Sequence, residues 1–446
     1  MKKNFKRVLS AALVVVMLFT AFPAAFAFGS KETDYTIISP YEQVDWSTWK
    51  TYKANLHAHC DASDGDPTLD EMVEEYYKAD YDILAMTDHG VITNGWTSER
   101  ETNGIFNKFR KVYPMSEENY ERITKGLDRG GRGMTDIRGG IECNMAVISK
   151  THVNGYFTTY GQGEWGIEND YRTAPVEIEK AGGYSVLNHV GDWVDSGRFP
   201  HRSHWNVYIA YFAGIFIDCP SCLGMEIVNT DRVTRGDREL WDELLQVVIP
   251  KGRNIWAFAD DDSEKLNEVG RSFEFFVLPE NNEANVKKAM KDGNFFAASK
   301  YYKTTDGVGD FDGDGNVPLV TGIKVDQKAN TITVATDPTR DCRVIEWIAD
   351  GKVIATGNTI DLNDYEKDLG CYIRFQMKGS GGVTYSQPFE LQYKGRIDKP
   401  VPSWALWVFK TEAGQKFMKF YHSHSFALGA LIAEKIRILI EDNIKK

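Results

Sequence analysis

The pattern of apolar and polar positions divides the chain into regions of different period. Between about residues 50 and 300, apolar runs typical of buried strands alternate with stretches of helical period. The clearest helix is TLDEMVEEYYKAD, with Thr68 or Asp66 as its N-cap and acids in its first turn. Alternating strands and helices predict a mainly parallel sheet or barrel, in which functional residues lie where the strands end. The strand-like runs are YDILAMTDHG, DIRGGIECNMAVIS, GGYSVLNHV, CLGMEIVN and RNIWAFADDD.

The period changes after a Gly/Asp-rich linker at residues 304–318. Residues 319–396 contain short alternating segments and hairpin-like turns such as Asp350-Gly351, which predict a small all-β sandwich. Residues 397–446 form a C-terminal tail that ends in the helical stretch FALGALIAEKIRILIEDNIKK. Because the polar face of that stretch mixes acids and bases, packing against the protein's own domains is favoured over contact with a membrane surface.

The first 27 residues have the pattern of a secretory signal peptide. A basic start precedes an apolar run that ends in the small-residue segment AFA, and cleavage is expected after Ala27. Residues 28–48 are polar and lack clear periodicity, so we interpret them as a lead-in to the first domain. The protein is therefore expected to be secreted or extracytoplasmic.

Charge and cysteine content narrow the classes of function. The formal net charge of −12 disfavours binding of nucleic acid through a broad basic surface. It does not exclude a small anionic substrate, because bound metal ions can dominate the local charge. Six cysteines are few for a disulfide scaffold. Cys342 and Cys371 lie in one β-rich region and could pair, whereas Cys219 and Cys222 are expected to form a local disulfide or to stay free thiols.

Histidines and acids collect at the predicted strand ends. His57 and His59 occupy alternate positions, so on a strand both side chains point to one face, and the following turn brings Asp64 back toward them. Taken alone, such a pair is as well explained by exposed histidines on an edge strand. An acid or histidine at nearly every strand end favours a metal site instead, and mixed imidazole and carboxylate ligands suit zinc, manganese or iron. The further members of the set are His89, Glu142, His152, His189 and the acids Asp260 to Asp262.

This ordered series resembles the PHP (polymerase and histidinol phosphatase) superfamily of metallohydrolases over roughly residues 50–300. The resemblance implies a distorted seven-stranded, TIM-like β/α barrel over residues 49–303, with two or three divalent metal ions at its mouth. The region that follows, with IEWIADGKVIATG and CYIRFQMKG, is similar to the β-domain that trails secreted members. The expected fold class is therefore an α/β barrel, then an all-β sandwich and a helical tail.

The resemblance also implies which residues hold each metal. His57 and His59 would join Glu142 and Asp262 at one metal. Glu142 would bridge to a second metal at His152 and His189, while Asp64 and His89 would hold a third.

The last motif departs from the family pattern D-x-H. Here Asp262 and Ser263 are followed by Glu264, so a carboxylate replaces an imidazole at the third metal and would favour Mn²⁺ over zinc there. The run of three aspartates also leaves Asp261 as a rival to Asp262.

The predicted activity is hydrolysis of a small phosphoester by a hydroxide held between two metals. His57, His59, Glu142 and Asp262 would form the catalytic centre. The loop GDWVDSGRFPHRSHW supplies candidates for binding substrate anions or protonating the leaving group, although an ordinary surface loop would have the same composition. These substrate-binding candidates are Arg198, His201, Arg202 and His204.

Two other functions remain open at the level of sequence. A hydrolase of carboxylic esters, amides or carbamates would use the same metals with an apolar, aromatic-lined pocket. A non-catalytic metal-binding surface module would account for the missing last histidine.

Three further features are assigned to structural roles or left open. Asp88 is expected to orient a neighbouring ligand, and Cys60 and Cys143, each beside a ligand, are expected in the core. The acids of residues 310–316 match the start of a calcium loop, but Thr321 replaces the closing glutamate. A structural calcium ion and a plain turn linker are both compatible with this segment.

Overall fold

The computed structural model describes residues 35–101, 112–144, 151–164, 170–191, 206–230, 235–304, 309–394 and 411. The predicted signal peptide lies outside these ranges, as does the C-terminal tail apart from Thr411. Within the described part of the chain, none of the helices combines the length and apolar character that a membrane crossing requires.

The helix predicted from TLDEMVEEYYKAD is confirmed at residues Leu69–Lys78. Thr68 is its N-cap: the Thr68 side chain accepts the Glu71 N–H while the Glu71 carboxylate accepts the Thr68 N–H, which forms a capping box. The α-helices of the described residues are α1 (Leu69–Lys78), α2 (Glu117–Lys125), α3 (Thr173–Lys180), α4 (Asn206–Asp218), α5 (Arg235–Val248) and α6 (Glu283–Asp292).

Each strand-like run of the first 300 residues contains a strand. The strands of this part are β1 (Tyr35–Ile38), β2 (Lys50–Asn55), β3 (Ile83–Ala85), β4 (Thr135–Ile137), β5 (Ile141–Cys143), β6 (Val153–Tyr156), β7 (Tyr184–Leu187), β8 (Cys222–Asn229), β9 (Trp256–Asp260), β10 (Ser272–Leu278) and β11 (Phe295–Ser299).

These strands belong to two sheets. One contains β11, β10, β2, β3 and β4 in that order, and the other contains β5 to β9 in sequence order. Strand β6 runs antiparallel to both β5 and β7, whereas β2–β3–β4 and β7–β8–β9 are parallel. Buried side chains from both sheets, including Leu56, Val186, Phe258 and Phe276, form one core between them.

The predicted α/β class is confirmed, but the described residues do not form a closed barrel. No ladder of paired strands joins the two sheets in the described residues, and isolated bridges connect them, among them Ala58 with Ser263 and His89 with Glu142. On the edge of β9 that lies away from β8, side chains take the place of a neighbouring strand. The Gln387 side chain binds both the N–H and the C=O of Ala257, and the Glu274 carboxylate accepts the Ala259 N–H. These contacts satisfy the edge of β9 without a backbone ladder.

The C-terminal part consists of strands and short connections. Its strands are β12 (Tyr301–Tyr302), β13 (Phe311–Asp312), β14 (Val320–Asp326), β15 (Thr331–Thr336), β16 (Val344–Ala349), β17 (Lys352–Thr356), β18 (Thr359–Asp361), β19 (Tyr372–Gly379), β20 (Gly382–Tyr385) and β21 (Phe389–Tyr393).

This part continues the larger sheet of the first part. Strand β20 pairs with β11, and β19 joins β20 to β16 and β21, while β14, β15 and β18 form a separate three-stranded sheet. Strand β1, from the segment that we interpreted as a lead-in, pairs antiparallel with β21. The predicted β-rich region is therefore present. Its strand β20 pairs with β11, which precedes the predicted linker at residues 304–318, so one sheet includes strands from both sides of the linker. The domain limits themselves stay a prediction.

Candidate metal centre

The predicted ligands lie together at the carboxyl ends of strands from both sheets. His57 and His59 follow the end of β2, His189 lies two residues after β7, and Asp262 lies two residues after β9. His152 precedes β6 instead of following it. Because β6 is antiparallel to its neighbours, its first residue lies where β5 and β7 end.

The Glu142 carboxylate lies at the centre of this group. Its Oε2 atom is 3.3 Å from His57 Nε2, 3.3 Å from His59 Nε2 and 3.1 Å from His89 Nδ1. Its Oε1 atom is 3.3 Å from His152 Nδ1 and 3.4 Å from His189 Nε2. One buried carboxylate therefore presents each of its oxygens to a different set of imidazoles.

The donor set of His57, His59, Glu142 and Asp262 fits a divalent cation. The two Nε2 atoms of the histidines are 3.1 Å apart, and each is also 3.1 Å from Asp262 Oδ1. All four side chains offer a ligand atom to one point, and the histidines and Glu142 are almost completely buried. Imidazole nitrogens that face each other between carboxylates match the chemistry of zinc, manganese or iron ligation.

Two further groups of side chains adjoin this one. His89, Glu142 and His152 converge on one side, and His59, Asp64 and His89 converge on the other. His189 contacts Glu142, and its buried Nδ1 has no hydrogen-bond partner among the described residues. The described part of the chain thus contains adjoining groups of imidazole and carboxylate side chains that are compatible with a divalent metal site.

The electrostatics of the group favour a cation. Burial opposes the charged form of His59, yet the hydrogen bond to Asp262 and the nearby acids raise its pKa to about 10. Burial likewise opposes a charge on His189, and Glu142 and Asp262 raise its pKa to about 9. His152 differs, because burial outweighs the attraction of Glu142 and lowers its pKa. Most of these imidazoles therefore attract protons strongly, and a bound metal would replace those protons.

Two of the predicted ligands have an unusual backbone conformation. His189 has a φ of 29° and Asp262 a φ of 47°, a region that residues other than glycine rarely adopt. The His189 N–H donates to the Glu226 carboxylate at 2.7 Å, and the Asp262 N–H donates to the His57 carbonyl at 3.0 Å. Strained backbone that neighbouring bonds hold in place is typical of functional sites.

The structure separates the three consecutive aspartates. Only Asp262 joins the donor group, whereas the Asp261 carboxylate accepts the N–H groups of Gly270, Arg271 and Ser272. The Asp260 carboxylate accepts the Leu56 N–H at 2.6 Å. The two sequence neighbours of Asp262 in this run therefore fix the backbone around the site.

Glu264 is not brought into any of these donor groups. Its side chain is exposed, and its backbone N–H donates to Glu268. Partial burial of its carboxyl and the charge of the nearby Asp64 raise its pKa, so Glu264 lies near Asp64 without joining a donor group. The substrate-binding candidates Arg198, His201, Arg202 and His204 lie outside the described residues.

Comparison with known proteins gave only distant similarities. No family model and no curated protein matches the chain. Among solved structures, it is similar to a two-domain protein containing a predicted PHP-like metal-dependent phosphoesterase from Bacteroides vulgatus, at 15% identity and a TM-score of 0.40. That match covers 82% of this chain and 93% of the other.

Two further solved structures are similar over about half of this chain. A lesion-specific endonuclease from Pyrococcus furiosus matches at 13% identity and a TM-score of 0.33, covering 54% of this chain and 56% of the endonuclease. An amidohydrolase from Chromobacterium violaceum, solved with sulfate and no metal, matches at 14% identity and a TM-score of 0.28, covering 48% and 87%.

Sequence reasoning missed three polar residues around the donor groups. Glu226 contacts His57 Nδ1 at 2.6 Å, Asn188 donates to Glu142 Oε1 at 2.7 Å, and Asn229 Nδ2 lies 3.2 Å from Asp262 Oδ2. Glu226 lies in the apolar run CLGMEIVN, which is the same signal that marked Glu142. The two asparagines carry no such signal, because an amide near a strand end is common in any fold.

Asp88 has the orienting position that we predicted. Its carboxylate accepts the Cys60 N–H at 2.8 Å and the Ser63 hydroxyl at 2.9 Å, and Ser63 Oγ lies 3.3 Å from His59 Nδ1. Arg100 is a buried residue that sequence reasoning missed, and it contacts Asp88 at 3.4 Å. These contacts fix the turn that carries His59.

Among the described residues, neither the cysteines nor the acids of residues 310–316 belong to a group that could hold a metal ion. All six cysteines are free, so neither the Cys342–Cys371 pair nor a disulfide at Cys219 and Cys222 is formed, and Cys60 and Cys143 are buried. The acids of the proposed calcium loop have separate local partners and do not converge. Asp310 accepts the Thr304 N–H, Asp312 contacts Lys303, and Asp314 accepts the Asn316 N–H.

Proposed function

We propose that this protein is a metal-dependent hydrolase that acts on a small phosphoester. The observation that carries the proposal is the position of Glu142, whose two carboxylate oxygens each face a different set of histidines at 3.1–3.4 Å. When bound, divalent ions supply Lewis-acid charge and an activated water at neutral pH. Two adjacent donor sets sharing one acid are the arrangement that such catalysis requires.

The chain's own residues divide the site into a closed side and an open side. The side chains of His57, His59 and Glu142 are at most 1% exposed, so water is excluded behind them. The Asp64 side chain is 49% exposed and that of His89 is 18% exposed. A substrate therefore approaches from the side of Asp64 and His89.

The phosphoester class is the finer part of the proposal. Adjacent donor groups that share a carboxylate would hold divalent ions suited to in-line displacement at phosphorus, where the attacking and the leaving oxygen are stabilised together. The PHP-like order of ligand residues along the chain favours the same class. We also propose an extracytoplasmic location, on the pattern of residues 1–27, and a small-molecule substrate rather than nucleic acid, on the net charge.

The test uses residues 28–446 and a His57→Ala/His59→Ala variant as its control. Metal content is measured by elemental analysis. Hydrolysis of p-nitrophenyl phosphate, bis-p-nitrophenyl phosphate and p-nitrophenyl acetate is measured with added Mn²⁺ or Zn²⁺. We expect two or more metal ions per chain and phosphoester turnover, with turnover abolished in the variant. Metal with acetate turnover alone would move the substrate class to acyl compounds, and a chain that binds no metal would overturn the proposal.

A further inference from the structure

Glu226 connects three of the strand ends that form the metal centre. It lies within β8, and its side chain is fully buried. Its Oε1 atom is 2.6 Å from His57 Nδ1, and its Oε2 atom accepts the His189 N–H at 2.7 Å and the Asn229 side-chain amide at 3.0 Å. Both carboxylate oxygens are thus occupied by donors that belong to the site.

The first contact decides which nitrogen of His57 is available to a metal. A carboxylate oxygen only accepts, so at 2.6 Å His57 Nδ1 must carry the proton. The lone pair of the neutral ring is then on Nε2. That atom faces His59 Nε2, Glu142 and Asp262.

The second oxygen holds the neighbouring turns in place. The bond from the His189 N–H stabilises a residue whose φ is 29°. The Asn229 amide contacts Glu226 and, at 3.2 Å, the Asp262 carboxylate, so Glu226 is also linked to the ligand that follows β9. One side chain therefore sets the relative positions of His57, His189 and Asp262.

We propose that Glu226 is a positioning residue of the metal centre, which commits His57 Nε2 to the metal and holds the turn of His189. This inference rests on the proposed function, since it presumes that the centre binds metal. Carboxylate partners of ligating histidines are known to orient the ring and to strengthen its bond to the metal.

Glu226→Gln tests the inference because an amide cannot satisfy this arrangement in either orientation. With its NH₂ group toward His57, it donates to Nδ1 and moves the ring proton to Nε2, which blocks the metal position. With its oxygen toward His57, its NH₂ group faces the His189 N–H and the Asn229 amide, so donors face donors.

Glu274→Gln is the matched control. Glu274 of β10 is also a fully buried glutamate; its side chain accepts the Ala259 N–H and, among the described residues, belongs to none of the donor groups. Burial and the nearby Asp260 raise the pKa of its carboxyl well above the usual range, which favours the uncharged form, and glutamine has nearly the same shape without a charge.

The experiment measures metal affinity by competition with a chromogenic chelator, using Zn²⁺, together with the electronic spectrum of Co²⁺-loaded protein. We expect Glu226→Gln to bind roughly 10- to 100-fold more weakly than wild type, with an altered Co²⁺ spectrum, and Glu274→Gln to match wild type. Hydrolysis by Glu226→Gln should return at saturating metal, which loss of a residue that touches the substrate would not allow.

The two proposals fail in different ways. Wild-type protein that binds no metal would overturn the proposed function, whereas equal metal affinity of Glu226→Gln and Glu274→Gln would overturn the inference alone. If Glu226→Gln does not fold, Glu226→Asp keeps the charge with a shorter reach. Weaker metal binding by that variant supports the inference, and wild-type affinity contradicts it.

Discussion

Buried carboxylates in this molecule are tolerated for different reasons. Glu142 and Glu226 lie among imidazoles and amide donors that compensate for their burial. Asp136 is also buried, but its Oδ2 atom accepts only the Trp96 N–H at 2.8 Å, and its Oδ1 atom has no hydrogen-bond partner among the described residues. Ionising Asp136 is therefore unfavourable in the folded state.

Asp136→Asn is expected to remove part of the pH dependence of stability. Burial raises the pKa of Asp136 to about 7, whereas an unfolded chain releases this proton near pH 4. Between these values the folded state keeps a proton that the unfolded state has lost, so stability falls as pH rises from about 4 to about 7. Asparagine has no such proton, and the variant should melt several degrees higher at pH 8.

Thermal melts between pH 4 and pH 8 measure this effect. Asp368→Asn, the same substitution at an exposed position, serves as the control and should follow wild type. A wild-type pH slope in the Asp136 variant would contradict the argument.

Single residues show which parts of the site the sequence could reveal. An acid within an apolar run marks Glu142 and equally marks Glu226, so the latter was recognisable in principle. The choice between Asp261 and Asp262 was not, because consecutive aspartates give the same local pattern. Their roles are separated by backbone conformation and by partners that come from distant elements.

At the scale of elements, the periodicity predicts strands and helices but not which strand edges pair. The described residues leave β9 without a strand partner on one side, and Gln387 and Glu274 bind its backbone there. Gln387 is 130 positions from Ala257 along the chain, so no local sequence pattern predicts the contact. The barrel that the family resemblance implies is therefore not closed at this edge of β9 in the described residues.

Gln387→Ala should destabilise the protein by several kcal/mol. The substitution leaves the N–H and the C=O of Ala257 buried without partners, and each unsatisfied group costs about 1–3 kcal/mol. Urea denaturation followed by fluorescence measures the loss.

The control is Gln376→Ala. The Gln376 side chain donates to the Glu346 side chain and supports no buried backbone group through that contact. Equal losses of stability in the two variants would show that the edge of β9 does not depend on Gln387.

At the scale of the whole molecule, the C-terminal strands contact the part that carries the metal centre through buried side chains as well as through the common sheet. Arg374 of β19 binds both oxygens of Asp242 of α5 at 2.6 and 2.7 Å, and the Tyr372 hydroxyl donates to the same carboxylate. The Arg374 guanidinium also lies 4.8 Å from the centre of the Trp241 ring. This buried pair fixes α5 against the C-terminal strands.

Arg374→Met is expected to lower the stability by about 3–5 kcal/mol, because it leaves the Asp242 charge buried without its cation. Since the sheet is continuous, the protein should still unfold in a single transition. Differential scanning calorimetry measures both quantities.

Arg343→Met is the matched control, because Arg343 and Asp341 form an exposed pair worth at most about 1 kcal/mol. Two separate transitions in wild type, or no difference between the variants, would contradict the expected coupling.

In the described residues, α-helices occur before the change of period at residues 304–318, and the part after it consists of strands and short connections. The change of period does not reveal that β20 pairs with β11, because that ladder joins Ala297 to Tyr385 across the whole linker. Sequence pattern identifies regions of different structure, and only long-range pairing decides whether they share hydrogen bonds.

The pairing of β1 with β21 has a consequence for the order of synthesis. Tyr35 lies opposite Tyr393, and the Gln387 N–H donates to the Tyr41 hydroxyl across 346 positions of the chain. Among the strands of the described residues, the first, β1, therefore pairs with the last, β21. A nascent chain that lacks β21 leaves the edges of β1 and β19 open to other chains, and contacts this distant form slowly. Translation must therefore reach β21 before β1 and β19 gain the partner that joins them in the sheet.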